Sequence, residues 1–100
     1  MKVEQFYNKN QFRLYGEGKN ILQSYDSTIV VIEEKDPGTL RVTLGRDWDY
    51  SKTTLKHLYL FLEEYVPYNI VDFSKAKGNK RAYIQNLIDT HMIGYDSNLR

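Results

Sequence analysis

The stretch from Asp47 to Val66 constrains the fold of this chain more than any other. Three hydroxyl residues, Ser51, Thr53 and Thr54, stand just before an apolar run, where a side-chain oxygen accepts a hydrogen bond from an otherwise unpaired helix N–H. Apolar residues then recur at helical spacing, at Leu55, Leu58, Tyr59, Leu62, Tyr65 and Val66. Pro67 ends the run, because the residue before a proline is disfavoured in the α conformation. The pattern predicts a helix over residues 51–66.

Four residues of this region stand apart from the predicted buried stripe. His57 falls on the opposite, polar side of the helix, Leu60 lies outside the stripe, and Phe61 lies at its flank. Leu60 is either covered by a second element or part of an exposed contact patch. Trp48, the only tryptophan, precedes the helix and is the leading candidate for a core anchor that holds this corner against the rest of the fold.

The residues before this helix have the alternation and the turn signals of an antiparallel meander. Phe12 and Leu14 alternate with polar neighbours, as in a half-buried strand. The most apolar run, residues 28–33, should be a central strand covered on both faces, or nearly so. Residues 1–10 read as an irregular or short extended lead-in. The predicted strands are separated by turn residues and lie at 11–15, 20–25, 28–33 and 39–44.

A second helix is predicted over residues 79–93. Asn79 or Ser74 is placed to cap its start, and Gly94 is placed to end it. Its predicted apolar face carries Tyr83, Ile84, Leu87, Ile88 and His91, with Met92 beside them. The residues from Tyr95 onward are polar and should be frayed.

These elements define the predicted fold class. We expect one α+β domain over residues 1–100, in which a four-stranded antiparallel β-meander from 11 to 45 is followed by the two helices, 51–66 and 79–93, packed on one face.

Composition excludes several classes of protein. The 14 basic and 13 acidic residues give a net charge of +1, which is typical neither of a strongly basic nucleic-acid binder nor of an acidic mimic of nucleic acid. There is no cysteine, which fits a reducing cytoplasm. The charged N-terminus lacks the apolar core of a signal peptide. No apolar run approaches the ~20 residues that span a membrane, so we expect a cytoplasmic protein without a membrane partner.

Catalytic and metal-binding patterns are missing from the sequence. The two histidines, His57 and His91, are 34 residues apart on different predicted helices. Asp49, Ser51 and His57 include the residue types of a hydrolytic triad, but a helix that starts near Ser51 would hold Ser51 and His57 beyond hydrogen-bond reach. Asp47 and Asp49 before a helix are more typical of a solvated N-terminus than of a metal site. We therefore expect no enzyme, no metal and no cofactor.

One basic cluster spans the residues just before the second predicted helix and its first turn. Four cations fall within residues 74–81, with Tyr68, Phe73 and Tyr83 around them. Cations beside aromatic rings are the groups that bind single-stranded nucleic acid, although a solvated helix start would have the same composition. The cations are Lys75, Lys77, Lys80 and Arg81.

Two motifs carry a resemblance to a known group of proteins. They are Ser24-Tyr25-Asp26-Ser27 and, after a hairpin, Trp48-x-Tyr50-Ser51-x-Thr53-Thr54-x-Lys56-His57-x-x-x-Phe61-Leu62. Over residues 11–62 the chain resembles small uncharacterised domains from phages, plasmids and other mobile elements of bacteria. No activity is assigned to that group, so the resemblance implies origin and fold. Small phage proteins without catalytic residues often act by binding host replication, transcription or defence complexes, among them CRISPR effectors.

The leading functional hypothesis is therefore a protein-interaction module of phage or mobile-element origin. It would act in the bacterial host cytoplasm on a host protein or complex, as a steric inhibitor of a defence complex such as a CRISPR effector. Nine tyrosines fit an interaction role, because tyrosine is enriched at interfaces. Two alternatives stay open: a nucleic-acid-binding accessory protein that uses the basic cluster, and a structural homodimer formed through exposed edges of the meander. The predicted partner-binding residues are Tyr59, Leu60, Lys75, Lys77, Lys80, Arg81 and Tyr83.

Overall fold

A computed structural model describes residues 1–36, 38–67, 72 and 78–99. The described chain forms one six-stranded sheet and two helices, which confirms the α+β class. The elements follow one another as β1 (Lys2–Phe6), β2 (Asn8–Gly16), β3 (Lys19–Ser24), β4 (Ser27–Asp36), β5 (Thr39–Gly45), α1 (Lys52–Tyr65), α2 (Lys80–Asp89) and β6 (Gly94–Asp96).

The sheet has two more strands than predicted. Strands β1 to β5 pair in chain order as antiparallel neighbours, and β6 adds to β5 in parallel. The lead-in takes the extended form of the two that the sequence allowed, whereas the tail was wrongly predicted as frayed. Both additions are hard to recognise in the sequence, because four of the five β1 residues are exposed and β6 has only three, all exposed. They occupy the two edges that the predicted meander would have offered to a homodimer.

A bulge in β4 explains why residues 28–33 are so apolar. The register shifts between Leu22 and Gln23 of β3, so that Leu22 pairs with Val30 and Gln23 with Thr28. The extra residue, Ile29, joins Val30 in the core, and both are at most 1% exposed. Two consecutive core residues are what a bulge produces. Val31 points to the other face and is only partly buried, so the second face, which was predicted to be covered or nearly so, is covered only in part.

The core lies between one face of the sheet and the two helices. Leu22, Val30 and Leu44 pair across β3, β4 and β5, and each is fully buried in a core that includes α1 residues Leu58 and Leu62. Ile84 and Leu87 of α2 join the same core. The prediction of two helices on one side of the sheet agrees with this shared core.

The corner before α1 is built largely as predicted. Trp48 is 4% exposed and belongs to the core, which confirms it as an anchor. Ser51 caps α1, since its Oγ accepts a hydrogen bond of 3.1 Å from the N–H of Thr54. The placement of His57 on a polar face is wrong: it is 5% exposed, and its Nδ1 lies 2.8 Å from the Thr53 carbonyl oxygen, to which it donates. Phe61 is fully buried rather than peripheral.

Helix α2 begins as predicted and ends earlier. Asn79 caps it, with Oδ1 accepting a 3.0 Å hydrogen bond from the N–H of Ala82; the alternative cap, Ser74, lies outside the described residues. The helix stops at Asp89, and His91 takes a left-handed φ of 60°. Gly94 is therefore not the C-terminal glycine of a helix but the first residue of β6. His91 and Met92 are exposed and leave the predicted apolar face.

Candidate interaction surface

The sheet has a second face, which the core does not use. Antiparallel pairing places directly opposed side chains on the same side of a sheet, and the register aligns Val3, Leu14, Ile21, Val31 and Thr43 in one row across β1 to β5. None of these residues belongs to the hydrophobic core or to the side chains packed against it. Val3 is 61% exposed, and the other four are partly exposed. We call this side of the sheet the open face and this line of side chains the apolar row.

Charged side chains border the apolar row on one side. Lys19 pairs with Glu33 and Glu33 with Arg41 in the sheet register, and Lys35, at the irregularity between Glu34 and Asp36, reaches the Glu33 carboxylate. The Glu33 carboxylate lies 3.9 Å from the Lys19 ammonium and 3.6 Å from that of Lys35. Its three cations and one carboxylate give this margin a net charge of +2. We call these four residues the basic margin.

Uncharged side chains border the apolar row on its other side. The register aligns Gln5, Phe12 and Gln23, and then Thr28 of β4. Five strands at ~4.8 Å spacing and about seven residues at ~3.3 Å give the open face a footprint of roughly 19 × 23 Å. Such a footprint, about 440 Å², takes in the apolar row together with the charged and uncharged side chains that border it, so the apolar row is one stripe across the open face.

The predicted contact residues on α1 are directed elsewhere. Tyr59 is 2% exposed, and its hydroxyl donates a 2.8 Å hydrogen bond to the Lys80 carbonyl oxygen. Burial raises the pKa of Tyr59 well above its ordinary value, with the nearby Tyr83 and Glu63 adding to the shift. Leu60 is partly buried and packs against the core. Tyr59 thus joins the two helices and offers little surface to a partner.

The predicted contact residues on α2 also make contacts within the chain. Arg81 Nε donates to Asp49 Oδ2 over 2.7 Å, and the Lys80 ammonium lies 5.2 Å from the Tyr59 ring. The Tyr83 hydroxyl donates a 2.8 Å hydrogen bond to the Asp72 carbonyl oxygen. Lys75 and Lys77 lie outside the described residues, as do the aromatic residues Tyr68 and Phe73. The structure therefore brings Lys80, Arg81 and Tyr83 together at α2, and none of them lies on the open face.

Consecutive apolar residues in the sequence indicated the open face, but they were interpreted as a strand covered on both faces. Ile21 and Leu22 are consecutive apolar residues, as are Val30 and Val31. Because successive strand residues point to opposite faces, such pairs put apolar groups on both sides of a sheet. Two short helices cover only one side, so the second set, with Phe12 and Leu14, remains partly exposed.

The part of the chain that the structure describes contains neither a metal-binding cluster nor a membrane-spanning helix. No three His, Cys, Asp or Glu side chains come together there in a way that could hold a metal ion. The Asp47 carboxylate accepts a hydrogen bond from Ser27, and Asp49 pairs with Arg81. Among the described residues, neither helix is long and apolar enough to cross a membrane.

The fold and the open face define a small α+β domain whose single sheet is covered by helices on one side. The sequence over residues 1–86 matches a family of unknown function, DUF8033, and the chain belongs to that family. No curated protein and no solved structure gives a significant match.

Proposed function

We propose that this chain is a protein-interaction module, and that its open face binds a partner protein. The observation that carries the proposal is the apolar row, which crosses five strands without joining the core. Contiguous apolar side chains that remain at a surface do not gain the free energy of burial, about 25 cal/mol per Å². A partner that covers the row recovers that free energy, which is why exposed apolar patches are typical of interaction sites.

The charges beside the row specify the chemistry of the partner. Lys19, Lys35 and Arg41 outnumber Glu33 at the basic margin. A partner that presents apolar side chains flanked by carboxylates complements both the row and the margin. A second copy of this chain would complement the margin less well, because each copy brings the same net positive charge.

The origin and target of the module are part of the same proposal. The resemblance of residues 11–62 to small phage and mobile-element domains supports a role in a bacterial host, and the partner is then a host protein. Steric inhibition of a defence complex, such as a CRISPR effector, is the activity that we propose for it. The nucleic-acid alternative draws less support, since Arg81 is paired with Asp49 and Lys80 lies against Tyr59.

The proposal is tested by capture of bacterial host proteins with wild-type chain and two variants. Ile21→Lys places a charge in the middle of the apolar row, and Gln85→Lys places the same charge on the exposed side of α2. Circular dichroism and thermal melting establish that each variant is folded. We expect one protein to be retained after nuclease treatment by wild type and Gln85→Lys, to be lost with Ile21→Lys, and to bind the purified chain directly.

Three results would contradict the proposal. Equal retention of the same protein by wild type and Ile21→Lys would remove the open face from the interaction. Retention that disappears with nuclease would favour the nucleic-acid alternative. A dimer of the purified chain that Ile21→Lys dissociates, measured by light scattering, would make a second copy the occupant of the open face.

A further inference from the structure

A cleft lies where the turn between β3 and β4 meets the start of α1. Its volume is about 570 Å³, within the roughly 300–1,000 Å³ of small-molecule sites. It is separate from the open face, since none of the apolar row or basic margin residues lines it. The side chains that decide its chemistry are Gln11, Ser24, Ser27, Asp47, Ser51 and Thr54.

Gln11 supplies the strongest indication of a ligand. The side chain is 2% exposed, and its Nε2 donates a 2.8 Å hydrogen bond to Ser24 Oγ. Its Oε1 is buried and has no hydrogen-bond partner among the described residues. An unsatisfied buried polar atom costs about 1–3 kcal/mol, so such atoms are rare in folded proteins. Rotating the amide by 180° would leave Nε2 unpaired instead, so a group that can both donate and accept matches Gln11 in either orientation.

The charges around the cleft exclude anions. A helix N-terminus ordinarily favours negative charge. Here Ser51 Oγ already accepts the hydrogen bond of the Thr54 N–H. Asp26 and Asp47 are the charged residues among the described ones that line the cleft, and no lining residue is a cation. Two carboxylates repel phosphate or a carboxylic acid, and they accept hydrogen bonds from a neutral donor.

Two tyrosine rings stand at the rim of the cleft. Tyr25 lies in the turn with a left-handed φ of 53° and is 64% exposed, and Tyr50 precedes the helix cap and is 81% exposed. Both line the cleft. Tyrosine offers an apolar ring and a polar tip, which suits a ligand that has C–H faces between hydroxyl groups.

We propose that this cleft binds a small neutral polyhydroxylated ligand, a mono- or disaccharide. A sugar hydroxyl both donates and accepts, so it satisfies Gln11 in either amide orientation. Other hydroxyls of the sugar donate to Asp26 and Asp47 and exchange hydrogen bonds with the serine and threonine hydroxyls. The ring faces of the sugar pack on Tyr25 and Tyr50. This site is independent of the open face, and either proposal stands without the other.

The test is a titration of ¹⁵N-labelled chain, followed by NMR, with D-glucose, maltose and N-acetyl-D-glucosamine. Inorganic phosphate and spermidine serve as charged probes. We expect saturable shifts with at least one sugar at Gln11, Ser24 and Thr54, and none there with phosphate. Gln11→Met keeps the size of the side chain without its amide and should weaken sugar binding about tenfold, as expected for the loss of one buried hydrogen bond.

Two further variants distinguish loss of the site from loss of the fold. Gln5→Met makes the same change on the open face, at an exposed residue that does not line the cleft, and should leave sugar affinity unchanged. Tyr50→Ala removes an exposed ring without disturbing the core, so it should weaken sugar binding severalfold in a fully folded chain. The proposal is overturned by the absence of saturable shifts with all three sugars, by binding of phosphate or spermidine alone, or by unchanged affinity in both Gln11→Met and Tyr50→Ala.

Discussion

Replacement of Trp48 by alanine is the sharpest test of how the corner is held. Trp48 is 4% exposed in the core, so nearly all of a side-chain area of about 200 Å² is buried. At about 25 cal/mol per Å² the burial is worth at most about 5 kcal/mol. Measured losses for such truncations are about 3–5 kcal/mol. Because small domains are stable by about 5–15 kcal/mol, Trp48→Ala should lose a large fraction of the free energy of unfolding.

Urea unfolding followed by circular dichroism measures this loss without using tryptophan fluorescence. With a slope of about 1.5–2 kcal/mol per M, a loss of about 4 kcal/mol lowers the unfolding midpoint by about 2–3 M. Tyr50→Ala, two residues further along and 81% exposed, should change the free energy of unfolding by no more than about 0.5 kcal/mol. A loss below about 1 kcal/mol for Trp48→Ala, or equal losses for the two variants, would refute the role of Trp48 as an anchor.

Three further predictions concern single side chains. Ser51→Ala removes the hydrogen bond to the Thr54 N–H and should lower the free energy of unfolding by about 1 kcal/mol in urea melts. An unchanged free energy of unfolding would mean that this hydrogen bond does not stabilise the helix. Burial raises the pKa of Tyr59, so the folded state keeps a proton that the unfolded state loses, and stability should fall above about pH 10. Tyr59→Phe should flatten that fall in urea melts between about pH 8 and about pH 11, and an unchanged pH profile would exclude Tyr59 as its source. Gly45→Ala would bring a Cβ against the Thr28 carbonyl oxygen and within 2.7 Å of that of Leu99, so its thermal midpoint should fall well below that of Gly94→Ala, where the added Cβ comes no closer than 3.3 Å to the Val42 carbonyl oxygen; equal midpoints would contradict the packing at Gly45.

Local signals in the sequence were sufficient where one short motif determines one structure. Ser51 and Asn79 cap helices because their side-chain oxygens reach an N–H three residues on. The loop at Glu17 and Gly18 closes a two-residue hairpin with positive φ at both positions, 52° and 76°, as a type I′ turn requires. These features depend on neighbours in the chain, so periodicity and turn chemistry predict them.

Features that depend on distant parts of the chain were not predictable in the same way. Strand β6 forms only because Gly94 reaches Thr43 across about 50 positions of sequence, and its three residues carry no strand pattern of their own. The burial of His57 is decided by its hydrogen bond to the Thr53 carbonyl and by the elements around α1, since a histidine fits either face of a helix. Such tertiary effects override local propensity.

The candidate sites were likewise predictable only where a local pattern determines them. Phe12 and Leu14 were correctly assigned to one face of a strand, but the sequence does not say which face the helices cover. The helices cover the opposite face of β2, which carries Arg13. The Arg13 guanidinium lies over the rings of Tyr15 and of Tyr65 in α1, at 4.0 and 4.6 Å from their centres. An arginine stacked beneath a helix is difficult to recognise as a buried position, because guanidinium groups usually lie at the surface.

The most direct test of the interaction module is methyl NMR of the chain with and without its captured partner. We predict that partner addition shifts or broadens the methyl signals of Leu14, Ile21 and Val31 on the open face, and leaves those of the core residues Leu58 and Leu62 unchanged. Changes confined to Leu60, which lies on α1, would contradict binding at the open face and would favour the surface first predicted from the sequence.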